Sequence, residues 1–349
     1  MRWHESRAGV VRSGIHRRTP IRDVTGIAQT INSRLGRSTI SAAISLSVVG
    51  VAAFTLYQLL REVDFGRVVA AIEGQSLKNV VLAGLFVIAG YVALTFYDLF
   101  ALRTIGRREV PYAAAALASF ASSTIGHNLG AAVLTGGLIR LRVYSFWGLT
   151  VADVAKIAVI TSMTFWLGNA LLLGAAIAYA PQAVTVVDHL PWWINRAIGA
   201  AGLTGLACYL IWLAPRPRAV GRSNWRIVLP RPRLTLLQTG IGALDLSLVT
   251  AAMFTLLPAG PAVGFVTVPV VFLTATLLGT VSHAPSGLGV IEATMLVGLA
   301  QFQREELLAA LLTFRALYFV LPLILASLSL GARELWMLAR PASARCDRE

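Results

Sequence analysis

Cysteine, lysine and acidic residues are all scarce in this chain. It contains two cysteines, two lysines and only 16 aspartates and glutamates against 30 basic residues. Cys208 lies in an apolar run and Cys346 near the C-terminus, so no disulfide framework is expected. No group of histidines, cysteines and carboxylates shows metal-ligand spacing, so no metal and no cofactor is predicted. The paired acid and base or acidic cluster that an enzyme acting on lipid-linked substrates would use is likewise absent from the pattern. Charged residues make up 13% of the chain and hydrophobic ones 56%, with a mean hydropathy of +0.72. Such a composition excludes a soluble domain of ordinary size and predicts a polytopic membrane protein.

What is there is a series of apolar runs approaching or exceeding the roughly 20 residues that cross a bilayer. Spans are predicted at 40–60, 79–102, 155–179, 197–214, 234–257 and 307–330, with further apolar material at 112–135 and 262–302. The expected class is all-α: a polytopic integral membrane helical bundle with about seven full spans plus broken or re-entrant helices.

The net charge of +14 has a definite address. Segment 1–38 holds eight arginines against Glu5 and Asp23, has no apolar core of signal-peptide type, and reads as a basic, disordered cytoplasmic tail near anionic lipid. Arg17 and Arg18 are not followed by a small-residue cleavage site. No aromatic interleaving accompanies the basic residues, so nucleic acid is not an expected partner. Segment 39–332 is the membrane domain, and 333–349 a second cytoplasmic tail. Cytoplasmic loops are rich in Lys and Arg, which puts 103–111, the six-arginine segment 215–233 and both termini inside. Segments 61–78 and 181–195 then fall outside as loops, the latter with Trp192 and Trp193 as an interfacial anchor. With this orientation 23 of the 30 basic residues are cytoplasmic.

Two stretches break the pattern. Residues 119–148 read SFASSTIGHNLGAAVLTGGLIRLRVYSFWG, membrane-like yet rich in glycine and polar groups. If 112–135 crossed once, Arg140 and Arg142 would lie outside; a hairpin returns them to the cytoplasm, and the charge rule favours the hairpin over one kinked helix. Gly126, Gly130, Gly136 and Gly137 are the candidate bends. The second break is VSHAPSGLG, with Pro285, Gly287 and Gly289 as its bend residues, in a segment that begins and ends outside; two full spans meeting inside have the same parity. Thr124-Ile125-Gly126-His127 in one break is similar to Thr280-Val281-Ser282-His283 in the other. Oppositely entered broken elements of this kind are the sequence form of an inverted-topology repeat, with a site near the midplane.

Ionisable residues at membrane depth cost several kcal/mol unless paired, so they are the candidate substrate-binding residues. These are Asp98, Asp245, Glu292, Lys156 and Arg315; Arg140 and Arg142, on the hairpin's cytoplasmic return, and His127 and His283, for which a buried, hydrogen-bonded role is expected, complete the candidate set. Asp98 near its helix end has Arg103 as a local alternative partner, and Lys156 has Asp153 at i−3. On a helix Arg140 and Arg142 would point about 160° apart, so they can share a ligand only if the segment is extended. A guanidinium fork suits a phosphodiester, and the carboxylates suit a cationic head group.

Three segments carry a resemblance: YDLFALRTIGRREVPY, GGLIRLRVYSFWGL and HAPSGLGVIEATML. Tyr97 and Asp98, then Gly136, Gly137, Arg140, Arg142, Tyr144, Trp147 and Gly148, then Pro285, Gly287, Gly289 and Glu292 resemble, in order, the patterns of the lysylphosphatidylglycerol synthetase and flippase family. The resemblance covers roughly 40–331. It implies a bacterial inner-membrane protein that translocates phospholipid, possibly aminoacylated, without the C-terminal aminoacyltransferase domain, and therefore a transporter and not an enzyme. The implied partners are membrane phospholipid and either a separate synthase or further copies of the chain. Ser286 departs from the pattern, which usually has glycine there. An integral membrane enzyme and a non-transporting scaffold are the alternative readings.

Overall fold

The computed structural model describes residues 64–339 apart from 130–131, 215–217, 223–224 and 262. The basic tail 1–38, the predicted span 40–60, Gly130 and residues 340–349 lie outside the described residues. The rest is an α-helical membrane bundle.

Five helical stretches among the described residues are long and apolar enough to cross a membrane. They are α2 (Leu77–Thr104), α5 (Val151–Tyr179), α7 (Trp192–Leu213), α8 (Pro232–Leu256) and a final stretch made of α11 (Arg304–Arg315), a π-helical turn (Ala316–Val320) and α12 (Leu321–Ala339). Between them lie two pairs of shorter helices. The first pair is α3 (Tyr112–Leu129) and α4 (Ala132–Tyr144); the second is α9 (Thr267–Val281) and α10 (Val290–Gly298). The 13 residues of α4 reach about 20 Å and the 15 of α9 about 22 Å, short of the roughly 30 Å hydrocarbon core. Each pair packs on itself as a helical hairpin. These lengths decide both questions left open by the charge pattern in favour of re-entrant hairpins over a kinked single span or two full crossings.

The bundle ends sort the chain into two faces. At one, Arg107 after α2 pairs with Asp153 at the start of α5 (2.8 Å), and Arg333 in α12 reaches the Val143 carbonyl at the end of α4. At the other, α1 (Phe65–Glu73) packs on α11, and α6 (Gln182–Asp188) packs on α9 and α10. The first hairpin therefore enters from the face that carries Arg107, and the second from the opposite face.

Three segments expected as loops hold regular structure. Helix α1 occupies 65–73 because the Asp64 carboxylate caps it by accepting from the Gly66 N–H (2.8 Å). Helix α6 lies in 182–188, begun after Pro181 and ended by His189 in the left-handed region (φ 57°). In the six-arginine segment, β1 (Ala219–Arg222) and β2 (Trp225–Val228) form an antiparallel hairpin, with Val220 opposite Ile227.

Lipid supplies no hydrophobic drive between helices, so close backbone packing holds the bundle. A Cβ on Gly242 of α8 would strike the Thr164 carbonyl of α5, and one on Gly168 would come within 2.5 Å of the Gly242 backbone. Gly199 of α7 is fitted against Ala178 of α5 in the same way, at 2.6 Å. Beside this seam Gln238 donates to the Ile160 carbonyl (3.1 Å) and the Thr164 hydroxyl (2.9 Å). An apolar core of Val87, Val249, Met253, Phe272, Met295 and Leu311 joins α2, α8, α9, α10 and α11 around the second hairpin.

Candidate functional site

The tip of the second hairpin is made by residues that cannot continue a helix. There Ser286 (φ 54°), Gly287 (φ 61°) and Gly289 (φ 79°) occupy positive φ after Pro285, a conformation that costs a non-glycine residue about 1–3 kcal/mol. Helix α10 then starts with Glu292 accepting from the Gly289 N–H (2.8 Å). In the first, α3 ends at Leu129.

The two tips touch. Ser286 Oγ donates to Asn128 Oδ1 at 3.0 Å, and Asn128 Nδ2 donates to the Thr124 carbonyl (2.8 Å) and to the Phe319 carbonyl (3.3 Å). The third element at this junction is thus the π-helical turn. Its shifted hydrogen-bond register is the kind of local distortion that recurs at functional sites. The neighbouring Tyr318 carbonyl accepts from the Tyr91 hydroxyl of α2 (2.9 Å).

Each hairpin also places one member of a buried ion pair. Arg140 of α4 binds Asp98 of α2 with Nε at 2.9 and 3.1 Å and Nη2 at 2.8 Å, and the Tyr144 hydroxyl completes the carboxylate at 2.7 Å. Asp98 is 0% exposed. A charge so buried is tolerable only because a fork-to-fork pair and a third donor replace its water. In the second hairpin the sign is reversed: Glu292 of α10 accepts from Arg315 Nε of α11. Arg315 Nη1 lies 3.4 Å from the Ser286 carbonyl, and its plane faces the Phe319 ring at 5.4 Å. Arg315 Nη2 is buried and makes no hydrogen bond among the described residues.

Asp245 of α8 is 5% exposed and forms a third buried acidic position. Its Oδ2 accepts from the Tyr97 hydroxyl (3.0 Å), the residue beside Asp98 on α2.

Several sequence expectations need correction. Arg142 lies on the same regular helix as Arg140, so it points elsewhere and is exposed at the end face. Asp98 pairs with Arg140 and not Arg103, whose Nη1 donates to the Arg108 carbonyl. Lys156 sits 3.9 Å from Asp153, which also closes the Thr150 cap of α5; both belong to the end face, away from the hairpin tips. His127 and His283 are exposed, not buried. Gly126, Gly136 and Gly137 are inside regular helices and do not bend them. Gly136 instead lets α4 approach α3, since a Cβ there would sit 3.1 Å from the Ser122 carbonyl. Asn128, Ser286, Tyr144 and Tyr97 are the polar partners missing from the sequence-derived set. Tyr97 and Tyr144 were nonetheless carried by its motifs, and Ser286 stood out as a departure.

No family model matches the sequence. Among curated proteins, the chain is 30% identical over 264 residues to the uncharacterized protein slr0712 of Synechocystis sp., covering 75% of this chain and 82% of the relative. It is also 30% identical over 278 residues to the inner membrane protein YbhN of Escherichia coli, covering 76% of this chain and 83% of that one. A third match, to a phosphatidylglycerol lysyltransferase of Staphylococcus haemolyticus, is 24% identical over 283 residues, which is 78% of this chain and 31% of that protein.

Proposed function

Because the chain belongs to the family of the inner membrane protein YbhN, and is therefore a multi-pass inner-membrane protein, we propose that it translocates membrane phospholipid, with the head group passing where the two hairpin tips meet. The observation that carries this reading is Arg315 Nη2, a buried guanidinium donor with no hydrogen bond among the described residues, beside the Asn128–Ser286 contact. A phosphodiester oxygen is the natural acceptor for such a donor, and Glu292 already neutralises the charge when no lipid is bound. The first hairpin carries the opposite arrangement, Asp98 with Arg140, a pair closed on itself by Tyr144. Irregular backbone where the second hairpin turns and at the π-helical turn beside it suits a path lined by protein.

The match to a protein named phosphatidylglycerol lysyltransferase, over 31% of its length, supports a phospholipid as the substrate class. Translocation and not synthesis, an aminoacylated head group, cytoplasmic termini, the tail–membrane–tail division at 38 and 333, and cooperation with a separate synthase or with further copies belong to the same proposal. The orientation follows from the basic residues gathered at the face that carries Arg107.

The test is flipping of NBD-labelled phosphatidylglycerol in vesicles of phosphatidylcholine and phosphatidylglycerol, read by dithionite quenching. The pair variant Glu292→Gln/Arg315→Gln removes both charges together, so neither is left buried alone. Loss of flipping with an unchanged melting temperature is expected. Flipping at the wild-type rate would overturn the site.

A further inference from the structure

The site proposed above does not use Asp245. Its Oδ1 is buried and accepts no hydrogen bond from any described residue, so one side of the carboxyl is satisfied by Tyr97 and the other by nothing. The space beside it is built into α2: Gly90 is buried, and a Cβ there would lie 3.8 Å from Oδ1. Thr124 Oγ1 of the first hairpin is a second buried oxygen, and Tyr91 adjoins both it and Asp245. Among the described residues, the titratable groups facing Asp245 are Tyr97 and Tyr91 of α2 and Tyr318 of the π-turn. No cationic side chain is among them.

An aspartate anion in hydrocarbon surroundings with a single neutral donor is very costly, and the least costly partner for its bare oxygen is a proton. We propose that Asp245 is a proton-coupling site: Oδ1 gains an O–H bond when a proton enters from one face of the membrane, and that proton is released to the other face when the bundle changes conformation. The connections needed to transmit the event are in place. Tyr97 binds Asp245 while its neighbour Asp98 holds Arg140 of the first hairpin. Tyr91 holds the Tyr318 carbonyl, one residue from the Phe319 carbonyl that anchors Asn128. Loss or gain of one proton at Asp245 thus bears on α2 and on the π-turn, the two elements that hold the hairpins. The coupling to lipid rests on the translocator reading; the proton site itself does not.

Two measurements on the full chain separate these. Infrared difference spectra of reconstituted protein between acidic and alkaline pH are expected to show a protonated-carboxyl band that is absent in Asp245→Asn. The same band in Asp245→Asn would overturn the proton site. In the vesicles described above, a pH difference of about one unit, worth tenfold in protonation ratio, is expected to bias the NBD-lipid distribution between leaflets by up to about tenfold in the wild type and not at all in Asp245→Asn. Asp245→Glu, which keeps a carboxyl, is expected to retain a response. A distribution that follows a sodium gradient, or that ignores the pH difference in a wild type that flips lipid, would overturn the coupling. A wild type that moves no lipid would sink the translocator reading and leave the infrared band to decide the proton site.

Discussion

Asn128 and Ser286, 158 residues apart in the chain, are joined by a 3.0 Å hydrogen bond at the tips of two hairpins that enter from opposite faces. Asn128 is the hub of the junction, since its amide also holds the carbonyls of Thr124 and Phe319. Asn128→Ala is expected to destabilise the protein by about 1 kcal/mol, as for a half-buried group that loses its hydrogen bonds. Thermal unfolding in detergent checks this. Ser286→Gly removes one of the same bonds while relieving the positive φ, and is expected to cost less than Asn128→Ala.

The Asp98–Arg140 pair predicts strong non-additivity. Asp98→Asn or Arg140→Gln alone leaves a buried charge unpartnered and is expected to cost about 3–5 kcal/mol. Asp98→Asn/Arg140→Gln should recover most of that loss. A double-mutant cycle on melting temperature reads the coupling.

The helix seams predict a contrast between glycines. Gly242→Ala and Gly168→Ala place a methyl group against backbone that cannot move aside, and are expected to lower stability markedly. Gly137→Ala meets nothing within 4 Å and should be neutral or stabilising by up to about 1 kcal/mol. Thermal unfolding of the three variants in one detergent is sufficient.

The orientation predicts a labelling pattern. Trp193→Cys, at the exposed start of α7, should react with a membrane-impermeant maleimide in intact cells. Arg218→Cys, beside the β-hairpin, should react only after permeabilisation. A Cys208→Ser/Cys346→Ser background removes the native thiols. The reverse pattern would invert the topology and with it the entry side of each hairpin.

The sequence was most readable where one strong physical term acts alone. Long apolar runs gave the spans to within a few residues, as for 155–179 against Val151–Tyr179 and 234–257 against Pro232–Leu256. The cost of burying charge singled out Asp98, Asp245, Glu292 and Arg315, which lie inside the bundle, but also Lys156, which lies at its end face beside Asp153. The basic GGLIRLRVY segment was enough to argue that 112–135 does not cross once. What was not readable depends on neighbours distant in the chain. Glycine signals both bends and close packing, and only the opposing Ser122 carbonyl reveals that Gly136 does the second. Arg140 and Arg142 look equivalent until a regular helix sends them to different sides. Asn128 and Ser286 acquire meaning only once the tips are known to meet.

The most direct test of the central claim is a reversible cross-link at that meeting point. Asn128→Cys/Ser286→Cys, in the background lacking Cys208 and Cys346, is joined by a short cleavable bis-maleimide and assayed for NBD-phosphatidylglycerol flipping. If head groups pass between the tips, flipping stops on cross-linking and returns on cleavage. Flipping that continues at the same rate while the tips are joined would contradict the account.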